Sequence, residues 1–260
     1  MDINKFYASE GEKPLDSLVV DGGFCGIFRT IGVIGDSLAS GELESFHEGI
    51  PGYHDFYEYS WGQYMARTIG SKVYNFSKGG MTANEFWVSF NAKCGVFDYD
   101  KLCQAYIIAL AVNDINQNFE LGDPETAKTE VYSSSNPKFL VCYANIIKRI
   151  KSKQPDAKFF LMTLPNDTTR DAQRIKKNRE FSEGIRRLAK QFENTYVLDF
   201  EKYAPEYDQK FRDTFFMAGH MAPSGYMLTA KMVMSYIDYI IRHNPEDFKR
   251  VGFIGTPYTI

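Results

Sequence analysis

Five short apolar runs separated by longer segments of helical period are the feature of this 260-residue chain that most constrains its fold. The runs lie at about residues 30–35, 72–76, 105–111, 157–163 and 195–200. Runs that are apolar throughout are typical of strands buried on both faces of a parallel sheet. The pattern predicts an α/β fold, a three-layer α/β/α sandwich with a central, mostly parallel sheet.

The segments between these runs carry apolar residues at helical spacing. Residues 139–153 and 172–192 each place such residues on one face, which predicts two amphipathic helices. A last helix is expected to start near Pro223, because proline suits a first helical turn, and to run to about His243. Helices therefore follow the strands, as a parallel sheet requires.

Two stretches match neither period. Residues 42–60 and 117–137 are interpreted as long loops, which in compact domains are often lids or binding loops and are as often plain surface excursions. Residues 1–29 are expected to form an N-terminal arm packed on the domain. At this length and 44% hydrophobic content, residues 30–260 are expected to form a single domain.

The composition argues against several classes of partner. A formal charge of −3 and the absence of a basic run give no case for nucleic-acid binding. No window approaches the roughly 18 apolar residues of a membrane span, and the first six residues lack the pattern of a leader, so we expect a cytoplasmic protein without a membrane partner. The cysteines are too scattered for a zinc site, and no motif indicates a metal or an organic cofactor. Oligomeric state is left open.

The strongest single motif is Gly35-Asp36-Ser37-Leu38, at the end of the first apolar run. A serine that directly follows a strand lies at the sheet edge where ligands of open α/β proteins bind. Its hydroxyl is a weak nucleophile unless a base accepts the proton. His220, in a loop that leads into the last helix, is the candidate general base.

Further blocks follow in a fixed order. They are Asn75-Phe76-Ser77-Lys78-Gly79-Gly80, then Ala111-Val112-Asn113-Asp114, then His220. With the serine motif, these blocks make the chain resemble the SGNH (GDSL-like) hydrolases over about residues 30–240. The resemblance implies a flavodoxin-like fold and a serine esterase or acylhydrolase.

The same resemblance implies roles for individual residues. The backbone N–H groups of Ser37 and Gly80 and the side chain of Asn113 would form the oxyanion hole, whose donors are each typically worth about 10²–10³ in rate. The family usually has glycine where this chain has Ala111, whose extra methyl could narrow the site. Asp114 is expected to tie a loop.

The third triad position departs from the family pattern. The family usually has an aspartate three residues before the histidine, and this chain has Met217 there. A backbone carbonyl can hold an imidazole in a dyad, so we expect a Ser37–His220 dyad held in this way, with Asp213 as the second choice. Met217 also leaves open a catalytically silent ligand-binding domain.

The substrate is suggested by aromatic residues mixed with polar groups beside these motifs. Stacking faces next to hydrogen-bonding groups suit a sugar better than a long acyl chain, which favours removal of a short acyl (acetyl) group from a carbohydrate or other small polar ester. A lysophospholipase or thioesterase activity is the alternative. The candidate substrate-binding residues are Asp36, Tyr53, His54, Asn84 and Trp87.

Overall fold

A five-stranded sheet forms the centre of the protein in a computed structural model that describes residues 3–258. Residues 1–2 of the predicted arm and 259–260 of the predicted domain lie outside the described residues. The strands are β1 (Thr30–Gly35), β2 (Glu42–His47), β3 (Ile50–Asp55), β4 (Lys72–Ser77), β5 (Ala105–Ala109), β6 (Lys158–Met162) and β7 (Thr195–Leu198). All five predicted strands are therefore present.

The central sheet has the order β4-β1-β5-β6-β7, and every pairing is parallel. Without the β2–β3 insertion this is the 2-1-3-4-5 order of flavodoxin-like folds, whose ligands bind where the strand order reverses. In the register, Gly35 of β1 lies opposite Ser77 of β4 and Ala109 of β5. The segments that follow these three strands consequently emerge side by side.

The helices cover both faces of the sheet, which confirms the predicted α/β/α sandwich. The α-helices of residues 3–258 are α1 (Ser37–Ser40), α2 (Trp61–Ile69), α3 (Ala83–Glu85), α4 (Asn91–Cys94), α5 (Val112–Asn116), α6 (Phe139–Lys151), α7 (Ala172–Ala189), α8 (Phe200–Tyr203), α9 (Gln209–Phe215), α10 (Pro223–His243) and α11 (Pro245–Phe248). The predicted helices are α6, α7 and α10, and they end within three residues of the expected positions. None of the helices in the described range has the length and apolar character of a membrane span.

Two apolar clusters hold the layers together. One lies on the face covered by α6 and α7, and the other on the face covered by α2 and α10. The segment before β1 runs along α10, where Phe24 N–H donates to Asp238 Oδ1 at 2.8 Å and Glu12 accepts hydrogen bonds from Arg242. The buried ring of Phe28 joins this segment to the second cluster.

The prediction of a loop at residues 42–60 was wrong, because most of this stretch is the antiparallel β2–β3 hairpin. Its two-residue turn consists of Glu48 and Gly49, which both have positive φ (50° and 79°), as hairpin turns of this length require. The two buried alternate positions of β2 carry Glu42 and Glu44, so the strand shows no apolar alternation. Residues 117–137 contain neither helix nor strand, as predicted.

Ala111 connects β5 to α5 in a backbone conformation that disfavours side chains. Its φ is 143°, a region that costs an L-residue about 1–3 kcal/mol. The methyl group is buried in the apolar cluster on the α6 and α7 side and does not line the cavity described below. The departure from glycine therefore affects backbone strain and does not narrow the site.

Asp114 lies one turn further, fully buried, and its carboxyl oxygens accept the Ala83 N–H at 3.0 and 3.2 Å. The contact ties α5 to the segment that follows β4, in agreement with the expected structural role. Burial raises the pKa of Asp114 to about 7. The folded protein thus holds a proton that an unfolded aspartate releases near pH 4.

We expect Ala111→Gly to leave the protein at least as stable as the parent. The relief of backbone strain offsets the lost methyl and the greater entropy of an unfolded glycine. Ala144→Gly, a buried position in regular helix α6, serves as the control and should lose about 1–2 kcal/mol. Urea unfolding measures both, and an equal loss in the two variants would contradict strain at Ala111.

The raised pKa of Asp114 predicts a pH-dependent stability. Between about pH 4 and 7 the folded state binds one more proton than the unfolded state, so this group's contribution is complete below about pH 4. It falls by up to about 1.4 kcal/mol per pH unit as pH rises to 7. Asp114→Asn should flatten the decline in urea unfolding series at pH 5 and 7.5, whereas Asp156→Asn on the surface should not. Identical slopes in the parent and Asp114→Asn would refute the assignment.

Candidate active site

A cavity of about 340 Å³ opens at the carboxyl ends of β1, β5 and β6. Ser37 and His220, which are 183 positions apart in the sequence, both line it, as does Asn113. The cavity lies at the reversal of strand order, where an open α/β sheet binds its ligands. The serine and the histidine singled out from the sequence therefore share one site.

Ser37 begins α1, directly after the sharp exit from β1. Asp36 is the N-cap of this short helix, and its Oδ1 accepts the Leu38 N–H at 3.0 Å. A side chain at Gly35 would lie only 2.5 Å from the Ala39 Cβ, so glycine is needed for α1 to pack back on the strand. Burial raises the pKa of Asp36 to about 6. The Gly-Asp-Ser sequence thus serves local geometry and positions the hydroxyl.

His220 lies in the loop between α9 and α10, with its imidazole fixed by a carboxylate. The Nδ1 atom lies 2.7 Å from Glu44 Oε1. The same oxygen accepts the Gly219 N–H at 2.8 Å and the His220 N–H at 2.9 Å. Because the Glu44 side chain is only 4% exposed, water competes little for these bonds. The loop and the ring are held by one acceptor.

The partner of Nδ1 differs from both expectations drawn from the sequence. It is neither a backbone carbonyl nor Asp213, which is exposed on α9 and accepts a hydrogen bond from Gln209 at 2.7 Å. Met217 lies half exposed beside the loop. Glu44 was missed because it precedes the histidine by 176 residues, on a strand read as a loop. The signal that could have found it is the spacing of Glu42 and Glu44, which puts two carboxylates on one face of a strand.

A second carboxylate occupies the other ring nitrogen. Glu42 Oε1 lies 2.9 Å from His220 Nε2, and burial raises the pKa of Glu42. Its Oε2 fills the space that a side chain at Gly79 would need. Ser37 Oγ, by contrast, makes no hydrogen bond to His220 within the part of the chain described. In this state the nitrogen expected to activate Ser37 is bound by Glu42.

The other two oxyanion-hole candidates lie on neighbouring segments. Gly80, in the turn after β4, has a φ of 75° and open space where a side chain would project. Asn113 Nδ2 donates to the carbonyl of Met81, the residue after Gly80, at 3.2 Å. The two candidates are therefore brought together next to the β1 exit.

The candidate substrate-binding residues are distributed unevenly. Asp36 lines the cavity, and the Tyr53 ring packs edge-on against His220 with centroids 5.7 Å apart. His54 lies on the exposed side of the hairpin, hydrogen-bonded to Ser45. Asn84 and Trp87 lie outside the cavity lining: Asn84 accepts the hydroxyl of Tyr132, and Trp87 packs against the apolar cluster.

Three arginines also line the cavity: Arg170, Arg174 and Arg212. Asp167, also in the wall, pairs with Arg170 and Arg212, each at 3.0 Å. Sequence reasoning passed over these residues because none of them belongs to a motif, and only Arg174 lies in a predicted helix. Only the fold shows that the start of α7 and one face of α9 turn toward the cavity. Among residues 3–258, no group of three or more His, Cys, Asp or Glu side chains is placed to hold a metal ion.

The site lies within the region that matches a known family. The model of the GDSL-like Lipase/Acylhydrolase family matches residues 33–228, which include Ser37, Gly80, Asn113 and His220. No curated protein sequence matches the chain.

Several solved structures share the fold. A family two carbohydrate esterase from Clostridium thermocellum, in complex with cellohexaose, is 15% identical with a TM-score of 0.53, covering 91% of this chain and 66% of that one. A family 3 carbohydrate esterase from the same organism is 15% identical with a TM-score of 0.51, covering 82% and 97%. A possible lipase from Chitinophaga pinensis is 15% identical with a TM-score of 0.53, covering 83% and 98%.

At 15% sequence identity, the similarity to these structures shows a shared fold and no more. The assignment of the chain to a family rests on the family model. It covers most of the chain, from within β1 to within α10. The chain belongs to the GDSL-like lipase/acylhydrolase family and is a hydrolase of ester bonds.

Proposed function

We propose that this protein is a serine esterase that removes a short acyl group, such as acetyl, from a carbohydrate or another small polar ester. Ser37 is the nucleophile, His220 the general base, and Glu44 the residue that positions His220. The observation that carries this proposal is the Glu44 carboxylate on Nδ1 of a histidine that shares a cavity with Ser37. A catalytically silent domain has no need for such a buried contact.

The reaction follows from what each ring nitrogen does. Glu44 accepts at Nδ1 and thereby fixes the tautomer whose Nε2 is free to take a proton. Ser37 Oγ attacks the ester carbonyl carbon while its proton passes to His220 Nε2. The carbonyl electron pair becomes an oxyanion, held by the Ser37 and Gly80 N–H groups and the Asn113 amide.

The tetrahedral intermediate then collapses. The bond between the carbonyl carbon and the alcohol oxygen breaks, and His220 gives its proton to the departing alcohol. Water attacks the resulting acyl-enzyme with His220 again as base, which releases the acid and regenerates Ser37. Glu44 stabilises the imidazolium that forms twice in each turnover.

Before the first step, Glu42 must leave His220 Nε2 and the Ser37 hydroxyl must take its place. The hydrogen bond between Glu42 and Nε2 contains one proton, and burial raises the pKa of the Glu42 carboxyl. Hydrogen bonds of free active sites often reach their productive arrangement only with substrate bound. Glu42 therefore holds the ring in the resting state, and substrate binding frees it.

A small substrate is supported by the dimensions of the site. The cavity of about 340 Å³ is near the lower end of the range of ligand sites, which favours a small substrate. Two structures with the same fold are carbohydrate esterases, one of them holding cellohexaose. The exposed Tyr53 ring beside His220 provides a stacking face at the mouth.

Ser37→Ala should reduce hydrolysis of 4-nitrophenyl acetate at least about a thousandfold, because the attacking oxygen is lost. The parent should prefer acetate to butyrate and octanoate in steady-state assays. Ser152→Ala, at the end of α6 and remote from the cavity, is the matched control and should be fully active. Equal background rates for parent and Ser37→Ala would exclude Ser37 as nucleophile, and a maximum at octanoate would favour a lipid acylhydrolase.

Glu44→Gln should lower kcat at least about 100-fold with little change in KM, since the imidazolium loses its counter-charge and the ring its fixed tautomer. Glu44→Asp should recover part of the loss, and the pH profile of kcat should change in Glu44→Gln. Asp213→Asn, which alters a carboxylate bonded only within α9, should behave as the parent. If Glu44→Gln retains the parental kcat, as Asp213→Asn is expected to do, Glu44 does not position His220.

A further inference from the structure

The part of the cavity wall formed by three arginines carries a net positive charge. Arg170, Arg174 and Arg212 face a cavity whose other charged lining residues, apart from His220, are Asp167 and Asp36. Even with both carboxylates ionised, one positive charge remains, in a chain whose net charge is −3. The surplus is concentrated at the start of α7, away from the carboxylates around His220.

Arg174 differs from Arg170 and Arg212 in its hydrogen-bond partners. Within residues 3–258, no carboxylate lies within salt-bridge distance of its guanidinium, whereas Asp167 pairs with both other arginines. Arg174 donates instead to Asn178 Oδ1 at 2.9 Å, to Asn116 Oδ1 and to the Val112 carbonyl at 3.3 Å. These neutral acceptors orient the group, and the carboxylates of Asp167 and Asp171 act on its charge only from beyond salt-bridge distance.

The guanidinium still has donors to offer. Three of its five N–H groups are used in these bonds, so two remain for a ligand. Half burial and the nearby Arg170 lower the pKa of Arg174, but a guanidinium remains charged at any physiological pH. A half-buried, oriented cation is suited to bind a planar or tetrahedral anion through two parallel bonds.

We propose that the substrate of this esterase carries an anionic group, a carboxylate or a phosphate, which binds to Arg174 with support from Arg170. This inference rests on the proposed function, because it places the anion in the cavity of Ser37 and His220. It narrows the substrate from a small polar ester to a small acidic one, such as the ester of an acidic sugar or of a hydroxy acid.

The test uses matched pairs of esters that differ in charge. 4-Acetoxybenzoate and 4-acetoxybenzamide place the anion, or its neutral match, on the alcohol side of the ester. The 4-nitrophenyl monoester of glutarate and 4-nitrophenyl valerate do so on the acyl side, and 4-acetoxyphenyl phosphate offers phosphate in place of carboxylate. The parent should show at least about a tenfold higher kcat/KM for the anionic member of one pair, and added salt should reduce that preference.

Variants assign the preference to Arg174. Arg174→Gln should lower kcat/KM for the anionic ester about 10–100-fold and change the neutral ester less than about threefold. Arg174→Lys should retain part of the preference. Arg187→Gln alters an exposed arginine of α7 that pairs with Glu125, and it should change neither rate.

Two results would overturn the inference while leaving the esterase intact. One is Ser37-dependent hydrolysis with no preference for charge in either pair. The other is an equal loss on both esters in Arg174→Gln, which would show that Arg174 only braces α5 through Asn116 and Val112. If no ester is hydrolysed, calorimetric titration of 4-acetoxybenzoate and its amide into Ser37→Ala still decides, because equal affinities would exclude an anion site.

Discussion

One carboxylate oxygen, Glu44 Oε1, holds the proposed catalytic apparatus together. It accepts from His220 Nδ1 and from the backbone N–H groups of Gly219 and His220, all within 2.9 Å. Bonds to a charged acceptor are about twice as strong as neutral ones, and burial of the Glu44 side chain protects them from water. The β2–β3 hairpin is thereby tied to the loop before α10. Among the described residues, the imidazole has two further contacts, with Glu42 at Nε2 and with the Tyr53 ring, and neither of them also fixes the loop backbone.

The hairpin supplies the carboxylate of the proposed triad in a chain that has Met217 at the usual aspartate position. The usual aspartate would reach the ring from its own loop, three residues away. Here the carboxylate comes from a strand inserted directly after the nucleophile's helix α1, and the strand's alternation aims Glu42 and Glu44 at the same ring. The covalent path from Ser37 to Glu44 is only seven residues, so nucleophile and acid are placed by one short segment. Such a segment couples the position of the acid to the exit of β1.

The parts of the fold that could be predicted are those governed by burial. The strands β1 and β4–β7 and the helices α6, α7 and α10 were evident because their apolar residues follow the period of the element. The hairpin could not be predicted in this way. Its buried positions carry carboxylates instead of apolar residues, and the histidine that pairs with them lies more than 170 residues later in the sequence. Ala111 shows the same limit: its sequence neighbourhood does not reveal a φ of 143°, which is imposed by the turn from β5 into α5.

Charges of opposite sign are separated in the cavity: carboxylates lie around His220, and arginines lie near the start of α7 and on α9. Glu42 and Glu44 contact the ring nitrogens of His220, Asp36 interacts with the ring at longer range, and in the proposed reaction Glu44 stabilises the imidazolium. An anionic substrate would be repelled by these groups if it approached the ring alone. The arginines near the start of α7 and on α9 offset that repulsion, because two of them share Asp167 and the third forms no salt bridge within residues 3–258. In the proposed reaction, this separation of charge within a cavity of about 340 Å³ leaves proton transfer to the acidic side and substrate binding to the basic side.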